Sequence, residues 1–116
     1  ILRAIPFHAS RGKVYLPNDL LAAAGISRDE ILQTHSGKKL APAIAAGAAA
    51  AHAHLAKARS LPKPGRALPA FLPAATTALY LKRVTALGFD AFKTAVEVPL
   101  YRRQLAMLRA NWRGKI

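Results

Sequence analysis

The chain opens with the stretch Ile1-Leu2-Arg3-Ala4-Ile5-Pro6-Phe7-His8-Ala9-Ser10-Arg11-Gly12-Lys13-Val14-Tyr15-Leu16-Pro17. Pro6 and Gly12 interrupt any long helix here, because proline lacks an amide donor and glycine favours turns. Residues 13–16 alternate in the way a short extended segment does. Residues 1–16 therefore predict the tail of a helix followed by an extended flap.

This stretch resembles the second signature of the squalene/phytoene synthase family, which reads roughly I-L-R-D-x-x-x-D-A-R-R-G-R-x-Y-L-P. Both aspartates of that signature are replaced, the first by Ala4 and the second by His8. Lys13 stands where the signature has arginine. The matching positions are Ile1, Leu2, Arg3, Ala9, Arg11, Gly12, Tyr15, Leu16 and Pro17.

The two replacements remove the metal ligands that the resemblance would imply. Enzymes of the family ionise an allylic diphosphate with Mg²⁺ held between carboxylates and diphosphate oxygens, because hard cations need oxygen ligands. Ala4 has no ligand atom, and a lone His8 is a poor ligand for Mg²⁺. We therefore expect that this chain has no metal site, no catalytic residue and no cofactor, with Ala4 and His8 as degenerate metal-motif positions.

The same residues resemble the non-catalytic branch of the family, the mitochondrial complex I assembly factors. That branch has proline, an aromatic residue, histidine, a small residue and serine where this chain has Pro6 to Ser10. The resemblance covers nearly all 116 residues but only the C-terminal half of a family member. It continues through Gly25-Ile26-Ser27, Ala51-His52-x-His54-Leu55-x-x-Ala58-Arg59-Ser60, Pro69-Ala70-Phe71-Leu72 and Phe89-Asp90-x-Phe92. It implies one all-α domain over residues 1–116, the C-terminal part of the isoprenoid synthase fold.

The composition is strongly basic. Eighteen Lys and Arg residues against five Asp and Glu residues give a net charge of +13. Such an excess favours nucleic acid, anionic lipid or an acidic protein face as partner, although a basic surface can also lack any specific site. Cysteine is absent, which excludes disulfides and thiolate zinc sites. No uncharged run reaches the roughly 20 apolar residues that a membrane-spanning helix needs.

The apolar spacing also predicts an all-α fold, with five or six helices. Gly25 should end a helix that begins at Pro17, and Ser27 with Glu30 forms a capping box for the next helix. The most apolar segment, residues 69–87, is expected to be the most buried and to end at Gly88. The predicted helices after the first are residues 17–24, 28–33, 38–60 and 69–87, and a last one that begins at Pro99.

Three residues of the flap are candidates for a phosphate site. By resemblance, Arg11, Lys13 and Tyr15 match the flap that handles substrate phosphate in the synthases, so a surviving basic pocket would bind diphosphate or a lipid head group. The alternative is that Tyr15 packs and Arg11 caps a helix end. The resemblance further predicts that Tyr15, Leu16 and Pro17 lie against the helix that begins at Pro69.

The last helix carries a basic side and an apolar stripe. Arg102, Arg109 and Arg113 share one side, with Arg103 beside them, and form a candidate partner-binding face. The adjoining stripe consists of Tyr101, Leu105, Leu108 and Trp112. Of the two interpretations, an interfacial helix or a core helix with a solvated basic side, we favour the core helix.

The histidines predict no metal site. His52 and His54 lie about 200° apart on a helix, so both cannot reach one ion, and His8 and His35 add no ligand spacing. The sequence contains no Walker loop, no Ser-His-Asp order and no paired carboxylates.

The resemblance and the lost acids together predict a non-catalytic assembly factor or accessory subunit of a mitochondrial inner-membrane complex. It would work in the matrix, peripheral to the inner membrane, with other protein chains as partners. Two alternatives stay open. One is a prenyl-diphosphate transferase that uses Mg²⁺ bound by acids of a missing half, and the other is a basic RNA-associated or mitoribosomal protein.

Overall fold

The computed structural model describes residues 1–34, 37–86 and 89–116. This part of the chain contains helices and no strand, which confirms the all-α prediction. Short 3₁₀ turns at Leu2–Ala4, Gly65–Ala67 and Leu72–Thr76 precede α1, α5 and α6, respectively. The α-helices are α1 (Ile5–Ala9), α2 (Asn18–Ala23), α3 (Arg28–Thr34), α4 (Ala41–Ser60), α5 (Leu68–Phe71), α6 (Thr77–Val84) and α7 (Leu100–Arg113).

Local signals place the ends of the short helices as predicted. α2 stops just before Gly25, whose φ of +67° is the left-handed conformation that favours glycine. At the start of α3, the main-chain amide of Glu30 donates to Ser27 Oγ at 3.0 Å. This bond satisfies one of the amides that a helix leaves without a partner in its first turn.

Two of the predicted helices have different bounds in the structure, and in both cases a proline is the reason. α4 begins at Ala41 rather than Lys38, because the ring of Pro42 would clash with the Lys38 carbonyl in an earlier helical turn. The predicted helix 69–87 is divided into α5, a 3₁₀ turn around Pro73, and α6. This division raises the number of α-helices in the described ranges to seven. Leu87 and Gly88, where that helix was predicted to end, lie outside the described residues.

The core is built around α4, which packs against α2 and α6. Its alanine-rich face lets neighbours approach closely: Ala48 is fully buried, and Leu2 Cδ2 lies 3.4 Å from where a Cβ on Gly47 would be. The buried cluster consists of Ile5, Leu16, Leu21, Ile26, Ile31, Leu40, Ala43, Ile44, Ala48, Leu55, Leu81, Val84, Ala91 and Val96.

The segment from Leu68 to Val84 is not the most buried element, so that prediction is wrong. Leu81 and Val84 are buried, but Phe71 is 48% exposed. The reason is that α6 packs against α4, whereas α5 contacts the 3₁₀ turns on either side of it.

The final quarter of the chain, residues 89–116, first packs in the core and then forms a helix at the surface. Residues 89–98 form no described helix, yet Ala91, Val96 and Val98 are buried. Buried Asp90 holds this segment, because its Oδ1 accepts a hydrogen bond from the Phe92 amide at 2.9 Å. α7 follows and packs on the 3₁₀ turn Leu72–Thr76. Among the described helices, none is long and apolar enough to cross a membrane.

Candidate functional site

The opening stretch folds into a compact hook. α1 ends at Ala9, and Gly12, at φ +67°, reverses the chain so that the Lys13 amide donates to the His8 carbonyl at 2.9 Å. Residues 13–16, the predicted flap, form no helix or strand and run back beside α1, where the Tyr15 ring packs on His8. Leu16 is 2% exposed and anchors the flap in the core.

Aromatic packing surrounds the second of the two degenerate metal-motif positions. The His8 ring meets Phe7 edge-on at a centroid distance of 5.5 Å and Tyr15 at 4.6 Å. Ala4 is half-buried one helical turn earlier. The cavity beside His8 has a volume of about 10 Å³, room for about one water molecule. No carboxylate lines it; its lining residues are Ile1, Ile5, His8, Ala9, Lys13, Val14, Tyr15, Leu16 and Ile31.

The three candidate phosphate ligands of the flap point to different neighbours. Lys13 and Tyr15 line the small cavity beside His8. The Arg11 guanidinium instead lies over the Phe7 ring, 4.1 Å from its centroid. Tyr15 was expected to lie against the helix that begins at Pro69, but its ring packs on His8 and the residue is 52% exposed. The opening stretch does contact α6, but through Arg3. The Arg3 guanidinium lies 4.8 Å from the ring centroid of Tyr80 on that helix.

The apolar stripe of α7 faces solvent. Tyr101 is 57% exposed, Leu105 52%, Leu108 64% and Trp112 89%. The interpretation of α7 as a core helix with a solvated basic side is therefore wrong. The helix contacts the rest of the fold through its opposite side, where Ala110 is buried.

The four arginines of α7 lie in different surroundings. Arg109 and Arg113 line a large open cavity between α7 and the end of α4. Arg102 stays at the surface, where its Nε donates to the Tyr101 hydroxyl at 3.2 Å. Arg103 is half-buried, and within the described part of the chain its Nε is buried without a hydrogen-bond partner. Whether these arginines bind a partner stays a prediction.

The histidine pair on α4 is exposed at both positions, His52 and His54. Within residues 1–34, 37–86 and 89–116, no three His, Cys, Asp or Glu side chains lie together as metal ligands would. His35 lies outside the described residues.

Sequence reasoning missed the other cations of the large cavity. Arg59 at the end of α4, Lys63 in the following loop and Lys115 after α7 line it together with Arg109 and Arg113. The available signal was that residues 31–89 and 98–116 contain no Asp or Glu, so Arg59, Lys63 and Arg109 have no acid within ten residues in the sequence. Which of them converge depends on how α4 and α7 pack.

Comparison with known proteins supports the family resemblance of the opening stretch. The family model for squalene/phytoene synthase matches residues 1–104. No solved structure matches the chain.

Curated relatives carry one name, "NADH dehydrogenase (ubiquinone) complex I, assembly factor 6". The Mus musculus protein is 33% identical over 116 residues, which are 98% of this chain and 35% of that protein. The Homo sapiens protein is 37% identical over 107 residues, which are 86% of this chain and 32% of that protein. The chain therefore spans about a third of the length of these relatives.

Proposed function

This chain belongs to the squalene/phytoene synthase family, and we propose that it acts as part of a non-catalytic assembly factor for respiratory complex I. The proposal concerns a protein of the full length of these relatives, of which this chain matches about a third. Three observations support it: the replaced acids at Ala4 and His8, the name of the relatives, and the exposed apolar stripe of α7.

The replacement of both signature aspartates by Ala4 and His8 is the observation that carries the proposal. A diphosphate leaving group needs Mg²⁺, and Mg²⁺ needs oxygen ligands in near-octahedral geometry. His8 instead makes aromatic contacts with Phe7 and Tyr15, and the adjoining cavity is too small for a metal–diphosphate complex. The protein would accordingly be a pseudoenzyme that needs no cofactor.

The partners in this proposal are other protein chains, in the mitochondrial matrix. The Tyr101–Trp112 stripe supports this, since contiguous exposed apolar side chains mark interaction surfaces. Tyr, Trp and Arg are also the residues that dominate binding energy at interfaces. On α7 these residue types lie side by side, with Arg109 and Arg113 next to the stripe.

A second candidate is peripheral binding to an anionic membrane surface, such as that of the inner membrane. An exposed apolar stripe bordered by cations is the pattern of an interfacial helix. The acid-free sequence of residues 98–116 favours an anionic surface over a neutral one. RNA would also be attracted by the positive charge, but RNA binding would not account for the exposed apolar stripe.

The decisive experiment pairs a cellular test with a chemical one. The full-length protein that contains this chain, expressed in cells that lack assembly factor 6, should restore fully assembled complex I on native gels. The purified protein should form no condensation product from labelled farnesyl diphosphate and Mg²⁺. Turnover in the second test would overturn the non-catalytic proposal and favour the prenyltransferase alternative. Failure to restore complex I would remove the assembly role.

Restoring the acids tests the reason for the lost chemistry. The double variant Ala4→Asp/His8→Asp should bind Mg²⁺ and inorganic diphosphate more tightly, because two carboxylates four residues apart on one side of the hook attract divalent ions. Without metal it should be less stable than the unmodified protein, because the two charges repel. Calorimetric titration with Mg²⁺ measures the first effect. Unchanged affinity would mean that the ancestral cavity shape has been lost as well.

A further inference from the structure

A large cavity opens where the ends of α4 and α7 meet. It has a volume of about 680 Å³, within the range of ligand pockets. Ala75 on the 3₁₀ turn Leu72–Thr76 and Ala106 and Ala110 on α7 form part of its wall. None of the flap residues that resemble the synthase signature lines it.

Five cationic side chains line this cavity: Arg59, Lys63, Arg109, Arg113 and Lys115. No acidic side chain lines it, and the segments that build it contain no Asp or Glu. The side-chain ion pair seen in the described residues joins Lys39 to Glu30, on other elements. The cavity therefore gathers positive charge that protein carboxylates do not balance.

Helix ends account for only part of this charge. The C-termini of α4 and α7 each carry about −0.5 elementary charge, which favours nearby cations. Two such ends offset about one of the five positive charges. The remaining surplus, about +4, is available to attract an anion from outside the fold.

The loop between α4 and α5 holds one of these cations close to α7. Pro62 and Pro64 flank Lys63 and restrict the loop. Lys63 reaches the end of α7, because a Cβ placed on Gly114 would lie 3.7 Å from Lys63 Cδ. The cationic cluster thus spans two separate parts of the sequence and depends on the packed fold.

An apolar cleft of about 130 Å³ adjoins this cavity and shares Arg59, Lys115 and Ile116 with it. Leu61, Pro62, Pro64 and Phe71 form its apolar wall. Leu61 is 60% exposed and Phe71 is 48% exposed, so both are accessible to a ligand. A cationic cavity beside an apolar cleft suits a molecule that is anionic at one end and apolar at the other.

We propose that the cavity of Arg59, Lys63, Arg109, Arg113 and Lys115 binds a phosphate group, and that the cleft of Leu61 and Phe71 takes an apolar chain attached to it. Arginine forks bind phosphate oxygens in pairs, and lysines add point charges. The ligand class is a phosphate-bearing lipid, either a membrane phospholipid or a free lipid phosphate. The proposal is independent of the assembly role.

Three matched double variants test the phosphate site in the full chain, with inorganic diphosphate as the probe in calorimetric titration. Each replaces one Arg and one Lys by Gln, so that the net charge changes equally. Lys63→Gln/Arg109→Gln should weaken binding about a hundredfold, since it removes two cations and each charge-assisted hydrogen bond is worth about tenfold. Lys82→Gln/Arg83→Gln, exposed on α6, should leave binding within about twofold, because net charge alone acts weakly at physiological salt.

The third variant, Arg11→Gln/Lys13→Gln, compares this cavity with the flap. If it weakens diphosphate binding more than Lys63→Gln/Arg109→Gln does, phosphate binds at the flap and the proposal fails. Equal weakening by all three variants would show a response to net charge only, which also overturns it. Equal helical signal in circular dichroism confirms that each variant is folded.

The apolar half of the site has its own test, with a water-soluble short-chain phosphatidic acid as the probe. Phe71→Ser should weaken this lipid about fivefold and leave inorganic diphosphate unchanged, whereas Phe7→Ser, at a similarly exposed ring on α1, should change neither. Equal affinities of Phe71→Ser and the unmodified protein for the lipid would refute the chain-binding cleft. Sedimentation with phosphatidylcholine vesicles, with and without phosphatidic acid, then separates the sources. Binding to the acidic vesicles indicates a membrane lipid, and binding to the soluble lipid alone indicates a free ligand.

Discussion

α4 and α7 are the two longest helices of the described chain, and they use their apolar residues in opposite ways. α4 is alanine-rich, and its apolar face is only weakly distinguished in the sequence, yet Ala43, Ile44 and Ala48 are buried to within 2% of their surface. α7 has a clear apolar stripe, but Leu108 and Trp112 on that stripe are among the most exposed apolar residues. An apolar pattern therefore identifies a face that can be buried, whereas the neighbouring elements decide whether it is buried here.

The difference has a packing cause. Small side chains on α4 allow α2, α6 and the turn Leu2–Ala4 to approach it from several directions. α7 follows Pro99 at the end of an irregular segment and, among the described elements, packs mainly on the 3₁₀ turn Leu72–Thr76. It makes that contact through its alanine side, which fits closely, and so the larger apolar residues are left outside.

The largest effect is expected from removing a leucine beside α4. Leu40→Ala, at a fully buried side chain, should lower the free energy of unfolding by about 2–5 kcal/mol, because it leaves a cavity in a packed core. Leu108→Ala, the same change on the exposed stripe of α7, should cost less than about 0.5 kcal/mol. Chemical denaturation of both variants makes the comparison. Equal losses would mean that the α7 stripe is buried in solution.

A smaller effect is expected in the turn that leads into α4. A Cβ on Gly37 would clash with the Asp90 carboxylate and would lie 2.6 Å from the Ala91 amide nitrogen. Gly37→Ala should therefore cost about 1–3 kcal/mol through overpacking. Gly47→Ala within α4 is the control: its Cβ would meet the flexible end of Leu2 at 3.4 Å, so the gain in helix propensity should offset the contact. Thermal unfolding that ranks Gly47→Ala as the more damaging would contradict this packing of α4.

At the end of α7 we expect a loss of about 1–2 kcal/mol from Gly114→Ala. Gly114 has φ +69°, and its amide and that of Lys115 donate to carbonyls of the last helical turn. No close contact opposes the added methyl group, since its nearest neighbour would be Lys63 Cδ at 3.7 Å. The cost is thus backbone strain, and Gly114→Asn should recover part of it, because asparagine tolerates this conformation better. A lower denaturation midpoint for Gly114→Asn than for Gly114→Ala would show that backbone strain at this position is not the cause.

The smallest effect on stability, within about 0.5 kcal/mol, is expected from Trp112→Ser. The residue is 89% exposed, so the folded chain loses little contact. The effect on partner binding should be large, because exposed tryptophans often supply much of the energy of an interface. The cellular assay of complex I assembly measures this. Unchanged stability together with unchanged assembly would remove the stripe from the proposed partner surface.

Local patterns in the sequence determined much of this protein. Helical spacing, the Ser27 cap and the turn at Gly25 act over a few residues, so the helical class and most helix ends could be predicted. The loss of carboxylate oxygens at Ala4 and His8 was visible for the same reason, because it is a property of the side chains themselves.

Long-range packing decided the rest. Nothing local indicates that α7 rests on Leu72–Thr76 through Ala110, or that Arg59, Lys63 and Arg109 meet around one cavity. Residues 50 positions apart become neighbours only when two helix ends are brought together. The helical period specifies which residues share a face, but only the packed fold specifies what that face meets.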